Sequence, residues 1–207
     1  MLRVAASATN PADGLAPIAA RRPSMPKPSA MDTTPAPPLI TEDDLRHIAL
    51  WAALSAERAL PIFEGAAPAD LRPRAAIAAI RAFAEGGVRS AQLRKAAWDA
   101  QAAARQIDDP AARAAARSAS AAAGAAYTHP IETPHQINHV LAPAAYAVQA
   151  LSLGAGNKAE VTETELQRAI AAASPELRRI VRKMPARKPS KGAFHALLHR
   201  LDTALRR

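Results

Sequence analysis

His135 and His139 stand four residues apart, a spacing that sets two imidazoles on one face of a helix and that metal sites use. His129 and Glu132 come just before them. The pattern is not the His-Glu-x-x-His of zinc proteases, and spacing alone supplies no third carboxylate ligand. The expectation is that both histidines are hydrogen-bonded inside a helical bundle, with Tyr127 and Tyr146 as partners. No metal and no cofactor is expected. A metal-dependent enzyme built on the His129–His139 region is the third reading of the chain, behind two binding readings given below.

Other routes to catalysis close quickly. The 207 residues include no cysteine, which removes disulfides, thiolate catalysis and cysteine zinc sites together. A cysteine-free chain suits a reducing compartment, and a cytoplasmic location is expected. Only eight glycines are present, and they form no phosphate loop, no dinucleotide-binding turn and no nucleophile elbow. No catalytic residue is assigned and no enzymatic activity is expected.

Several charged and aromatic residues call for partners instead. Glu57 and Arg58 sit mid-helix among apolar residues, and a buried charge needs a counter-charge. Arg72 and Arg74, at the start of the next helix, are the available candidates, either for ion pairs or for contact with a partner. Trp98 falls on the outer face of its helix with Arg94 and Arg105 nearby. It either packs under a C-terminal helix or anchors a binding partner, as exposed Trp and Arg often do. Glu57, Arg58, Arg72, Arg74, Trp98, His135 and His139 are thus the candidate partner-binding residues. A separate basic run comprises Arg178, Arg179, Arg182, Lys183, Arg187, Lys188 and Lys191, with no acid between. Such a run can hold a phosphate backbone. No aromatic is interleaved, so base stacking has no support. The other reading is a solvated helix and linker.

The elements that must position these residues are helical. Alanine supplies 56 of the 207 residues, more than half of the apolar set, and it is the best helix former. Strand-favouring aromatic and β-branched residues are scarce. An all-α bundle follows, with about five core helices and further C-terminal ones. Residues 1–40 hold eight of the eighteen prolines and no apolar period, and read as a disordered leader, or as untranslated sequence ahead of Met25 or Met31. Residues 41–155 carry eleven basic and eleven acidic groups and read as one neutral helical domain. Residues 156–207 carry twelve basic against five acidic groups, and read as basic helices docked on that domain or trailing from it.

Within the domain, Thr41 caps a first helix to about Phe63, apolar all round and so expected to be buried between neighbours. Pro61 is expected to kink its last turn. Asp70 is expected to cap a second helix, which Gly86-Gly87 stops. Ser90 caps a third, and Asp109-Pro110 starts a fourth of nearly pure Ala, Arg and Ser. Thr133-Pro134 starts a fifth. No Asp, Glu, Lys or Arg lies between Glu132 and Lys158, yet His, Asn, Gln and two prolines interrupt the stretch. It reads as a central buried helix and not as a membrane span.

Four segments in order carry a resemblance: "LWAALSAERALPIFE" (50–64), "DLRPRAAIAAIRAFAEGG" (70–87), "LRKAAWDAQAAAR" (93–105) and "AAAGAAYTHPIETPHQINHVLAPAAYAVQAL" (121–151). Together they resemble the immunity proteins of bacterial polymorphic-toxin systems, the immunity-protein-five-like domain. The resemblance spans roughly Leu45 to Leu153 and is sharpest at Asp70, Arg72, Pro73 and Arg74. It implies an all-α domain without catalysis that binds and neutralises a cognate protein toxin. A neutral body with a basic tail disfavours acidic mimicry of nucleic acid. It fits a shape-and-hydrophobic interface or an acidic toxin better. The alternative is a small nucleic-acid-associated protein acting through its basic C-terminal segment.

Overall fold

The computed structural model describes residues 39–129, 133 and 135–207. The expectations for the leader up to residue 38, for Glu132 and for Pro134 lie outside the described residues. Among the described residues there are eight helices and no strand: α1 (Glu42–Ala66), α2 (Arg72–Ala84), α3 (Ala91–Gln106), α4 (Pro110–Ala125), α5 (Gln136–Gly154), α6 (Ala159–Ala171), α7 (Pro175–Lys183) and α8 (Ala193–Leu205). The all-α expectation is met.

Short polar side chains open most of these helices. Thr41 and Asp44 form a reciprocal capping box at α1, each side chain accepting the other's backbone N–H at 3.1 Å. Ser90, Asp109 and Ser174 each accept an amide of the following turn and start α3, α4 and α7. Asp70 does not cap α2 as expected. Leu71 occupies the cap position, and Asp70 instead accepts the Arg72 amide at 3.1 Å and its guanidinium at 2.6–2.8 Å. α1 runs through Pro61 to Ala66.

Three helices, α1, α4 and α5, pack mutually at the centre. α2 and α3 close one side of α4, α6 and α8 lie on α5, and α7 rests on α1. α4 is enclosed by α1, α2, α3 and α5, and all of its buried residues are alanines save Ser118. A methyl group is the smallest side chain to separate two helices, and it leaves room for neighbouring side chains to reach the α4 backbone. Two hydroxyls also tie across: Ser118 donates to the Pro143 carbonyl at 2.7 Å and Ser120 to that of Ala97 at 2.9 Å. The fifth helix is buried as expected, but it shares the centre with α1 and α4.

α1 is not covered on every side. Leu50 and Leu54 stay partly open to solvent, on a side that α2, α4, α5 and α7 do not cover. The C-terminal helices insert Leu166, Leu177, Ile180, Val181, Leu198 and Leu201 into the same apolar cluster that holds Ile48 and Trp51. Trp51 donates its indole N–H to the Ala169 carbonyl at 2.9 Å. No described helix is long and apolar enough to cross a membrane.

Candidate partner-binding site

The histidine pair does not face the interior. His135 precedes α5 and His139 lies in its first turn, and both are exposed. Their expected partners are engaged elsewhere. Tyr127 donates its hydroxyl to the Ser90 carbonyl at 2.7 Å, and Tyr146 stacks on Phe194 with ring centroids 4.2 Å apart. The buried face of α5 belongs to Ile137, Val140, Leu141 and Ala144, which places the histidines on the opposite side. Desolvation by the surrounding walls holds the His139 imidazole below its ordinary pKa, and the neighbouring His135 and His129 push the same way. No group of three or more His, Cys, Asp or Glu among the described residues is arranged to hold a metal ion.

His139 opens instead onto a groove of about 520 Å³ between α3, α4 and the start of α5. α3 buries Leu93, Ala100, Ala103 and Ala104 against the core, so the opposite stripe of Arg94, Trp98, Gln101 and Arg105 forms the outer wall. Ser120 and Gly124 of α4, with Tyr127 and His129, complete the lining. Trp98 is 65% exposed, which rules out its packing under a C-terminal helix. The Arg94 guanidinium lies 4.7 Å from the centroid of the Tyr127 ring, a cation–π arrangement. The structure thus joins Trp98 and His139, which sequence reasoning kept apart.

The other candidates stand in ion pairs, with partners that differ from those expected. Glu57 takes Arg81 at 2.6–2.7 Å, not Arg72 or Arg74. The reason is register: α1 and α2 run antiparallel, so Arg74 meets Glu64 at 2.7 Å, and about two turns further along α2 Arg81 meets Glu57. Arg72 closes back on Asp70 and reaches Gln106 at 2.6 Å. Its hydrogen bonds hold the Asp70 carboxyl below the usual range. Arg58 binds Glu165 of α6 through two 2.9 Å hydrogen bonds, and Arg168 adds a third at 2.7 Å. Glu165 is only 7% exposed, and nothing in its local sequence distinguished it from its solvated neighbours. These side chains rim a second, mainly apolar groove of about 400 Å³ under Leu54, Val148 and Leu151.

The basic run is not one continuous stripe. Arg178 donates to the Ile170 carbonyl at 2.7 Å and the Ala204 carbonyl at 3.3 Å, closing the ends of α6 and α8. Arg179 binds the buried Asp44 at 2.6 Å. The Arg187 amide donates to Asp202 at 2.8 Å. Arg182, Lys183, Lys188 and Lys191 remain exposed.

No curated protein and no solved structure matches the chain significantly. Residues 38–176 match a protein family described as Imm-5 like putative immunity protein. The match begins just ahead of α1, takes in the groove and both arms of the α1–α2 seam, and ends at the start of α7. It therefore reaches further in both directions than the four segments quoted above, and over that span the chain belongs to the Imm-5 like family of immunity proteins.

Proposed function

We propose that the protein is a non-enzymatic immunity protein that neutralises a cognate toxin in the cytoplasm by direct binding. Family membership supplies the class. The observation that carries direct binding is Trp98, which stands 65% exposed on a capped helix while the other tryptophan, Trp51, is 2% exposed and hydrogen-bonded. An indole left in water beside arginines is the composition of an interface hot spot. Trp98 and His139 are the centre of this reading. Glu57, Arg58, Arg72 and Arg74 lie outside that groove and bind one another's neighbours, so they support it less, as does His135.

The nucleic-acid alternative has weaker support, because Arg178 and Arg179 are engaged within the fold. The test is co-expression with the toxin encoded beside the gene. Rescue of growth by the wild-type chain, with a stable complex on mixing, is expected. Failure to rescue any neighbouring toxin, together with salt-resistant duplex binding abolished by Arg182→Gln and Lys183→Gln, would overturn the reading.

A further inference from the structure

Cations on α1 and α2 come with anions. Arg46, Arg58, Arg72, Arg74 and Arg81 each hold a carboxylate. Arg94 and Arg105 of α3 hold none among the described residues, and no described residue lining their groove is Asp or Glu. Asp99, next in sequence to Trp98, is turned to Lys95 at 2.6 Å. Trp98 stands between the two arginines on one stripe of the helix, and His129 and His139 line the same groove. The result is a concave site with guanidinium charge along its α3 wall, imidazole N–H groups elsewhere in its lining and an open indole.

We propose that this groove receives an acidic peptide segment of the protein partner, its carboxylates held by Arg94, Arg105 and His139 and its apolar atoms packed on Trp98. The proposal rests on the immunity reading and adds the chemistry of the partner to it. Guanidinium groups match carboxylates through paired hydrogen bonds, and such charge-assisted bonds are the stronger kind. A concave site of one sign also draws the opposite sign in and speeds encounter. A nucleic-acid strand fits less well. It needs a basic track along its backbone and successive stacking platforms, whereas the groove offers a single open indole, and the exposed Arg182, Lys183, Lys188 and Lys191 lie outside it.

The full chain is titrated, following tryptophan emission, with a soluble peptide of Glu, Ser and Leu, with the same peptide carrying Gln for every Glu, and with oligothymidylate. Buried Trp51 reports the fold and exposed Trp98 reports the groove. The acidic peptide is expected to shift the emission saturably and to bind about tenfold or more tighter than its Gln counterpart. Arg94→Gln combined with Arg105→Gln removes that difference without moving the melting temperature. Equal binding of both peptides overturns the proposal, and so does tighter, Arg94- and Arg105-dependent binding of oligothymidylate. Rescue of the toxin undiminished by the double change removes the groove as the toxin's surface but leaves the immunity reading. Binding of the acidic peptide without rescue by the wild-type chain supports the groove and removes the immunity reading.

Discussion

The seam between α1 and α2 and the groove outside α3 are both rich in arginine, and they use it in opposite ways. Along the seam two guanidinium groups of α2 meet carboxylates of α1: Arg74 with Glu64, Arg81 with Glu57. Arg46 completes the row by donating to the Phe83 and Gly87 carbonyls, which satisfies the end of α2. Charge there is closed on itself and fixes the register of two helices. In the groove, Arg94 leans on an aromatic ring and Arg105 faces solvent, next to an indole that buries little of itself. Charge there is left open to whatever arrives. A charged residue mid-helix is therefore not a binding signal in itself; what separates the two regions is whether the fold already supplies the counter-charge.

The contrast can be broken by moving stability and binding separately. The largest effect is expected from Trp98→Ala. It should weaken the complex with the cognate toxin by about 2 kcal/mol or more, as hot-spot truncations do, while the melting temperature stays within error of wild type. A fall in melting temperature comparable to the loss of binding would show that the indole serves the fold.

Asp44→Ala should do the reverse. Asp44 is 2% exposed, completes the α1 capping box and holds Arg179 of α7, so its loss is expected to cost about 1–2 kcal/mol of stability in denaturant melts and to leave toxin binding unchanged. Its acid dependence has a definite sign. Desolvation opposes ionisation of Asp44, but the Thr41 amide and Arg179 outweigh it and hold the carboxyl below its ordinary value of 3.8. The stabilisation is thus complete above that value and lost as pH falls through the lower folded pKa. Melts below about pH 4 should show the variant losing less on acidification than wild type.

Arg81→Gln tests the seam with a smaller effect. The Glu57–Arg81 pair is about one-third exposed on each side, so its loss should cost under about 1 kcal/mol and leave rescue by co-expression intact. The smallest effect concerns His139, whose imidazole is held below 6.5 by desolvation and by His135 and His129. Stability associated with its neutral form is present above 6.5 and declines as pH falls through the lower folded pKa. His139→Asn should flatten the melting profile in that window. An unchanged slope would remove His139 from the acid response.

Much of the fold was readable along the chain because its signals are local. Alanine content set the class, and Thr41, Ser90, Asp109 and Ser174 marked helix starts by a hydrogen bond formed within one turn. Trp98 was legible as an outward residue from helical period alone. The pairings were not. Whether Glu57 meets Arg74 or Arg81 depends on the antiparallel register of α1 and α2, which no single-helix pattern encodes. Glu165 looks like any solvated carboxylate of α6 until α1 brings Arg58 over it. His139 reads as interior because its helix is apolar, and only the choice of which face α4 covers turns it toward Trp98.

The alanine lining of α4 has a thermal consequence. Alanine gives up no rotamer freedom on burial, but it also removes little apolar area from water compared with leucine or isoleucine. Heat capacity of unfolding scales with newly hydrated apolar area, at about 12–15 cal/mol/K per residue for ordinary domains. A centre whose buried residues on α4 are alanine and one serine therefore adds less to that heat capacity than a leucine-lined helix of the same length. The expected outcome in calorimetry is a stability curve shallower than that of a leucine-centred bundle of equal length, with cold and heat denaturation set further apart.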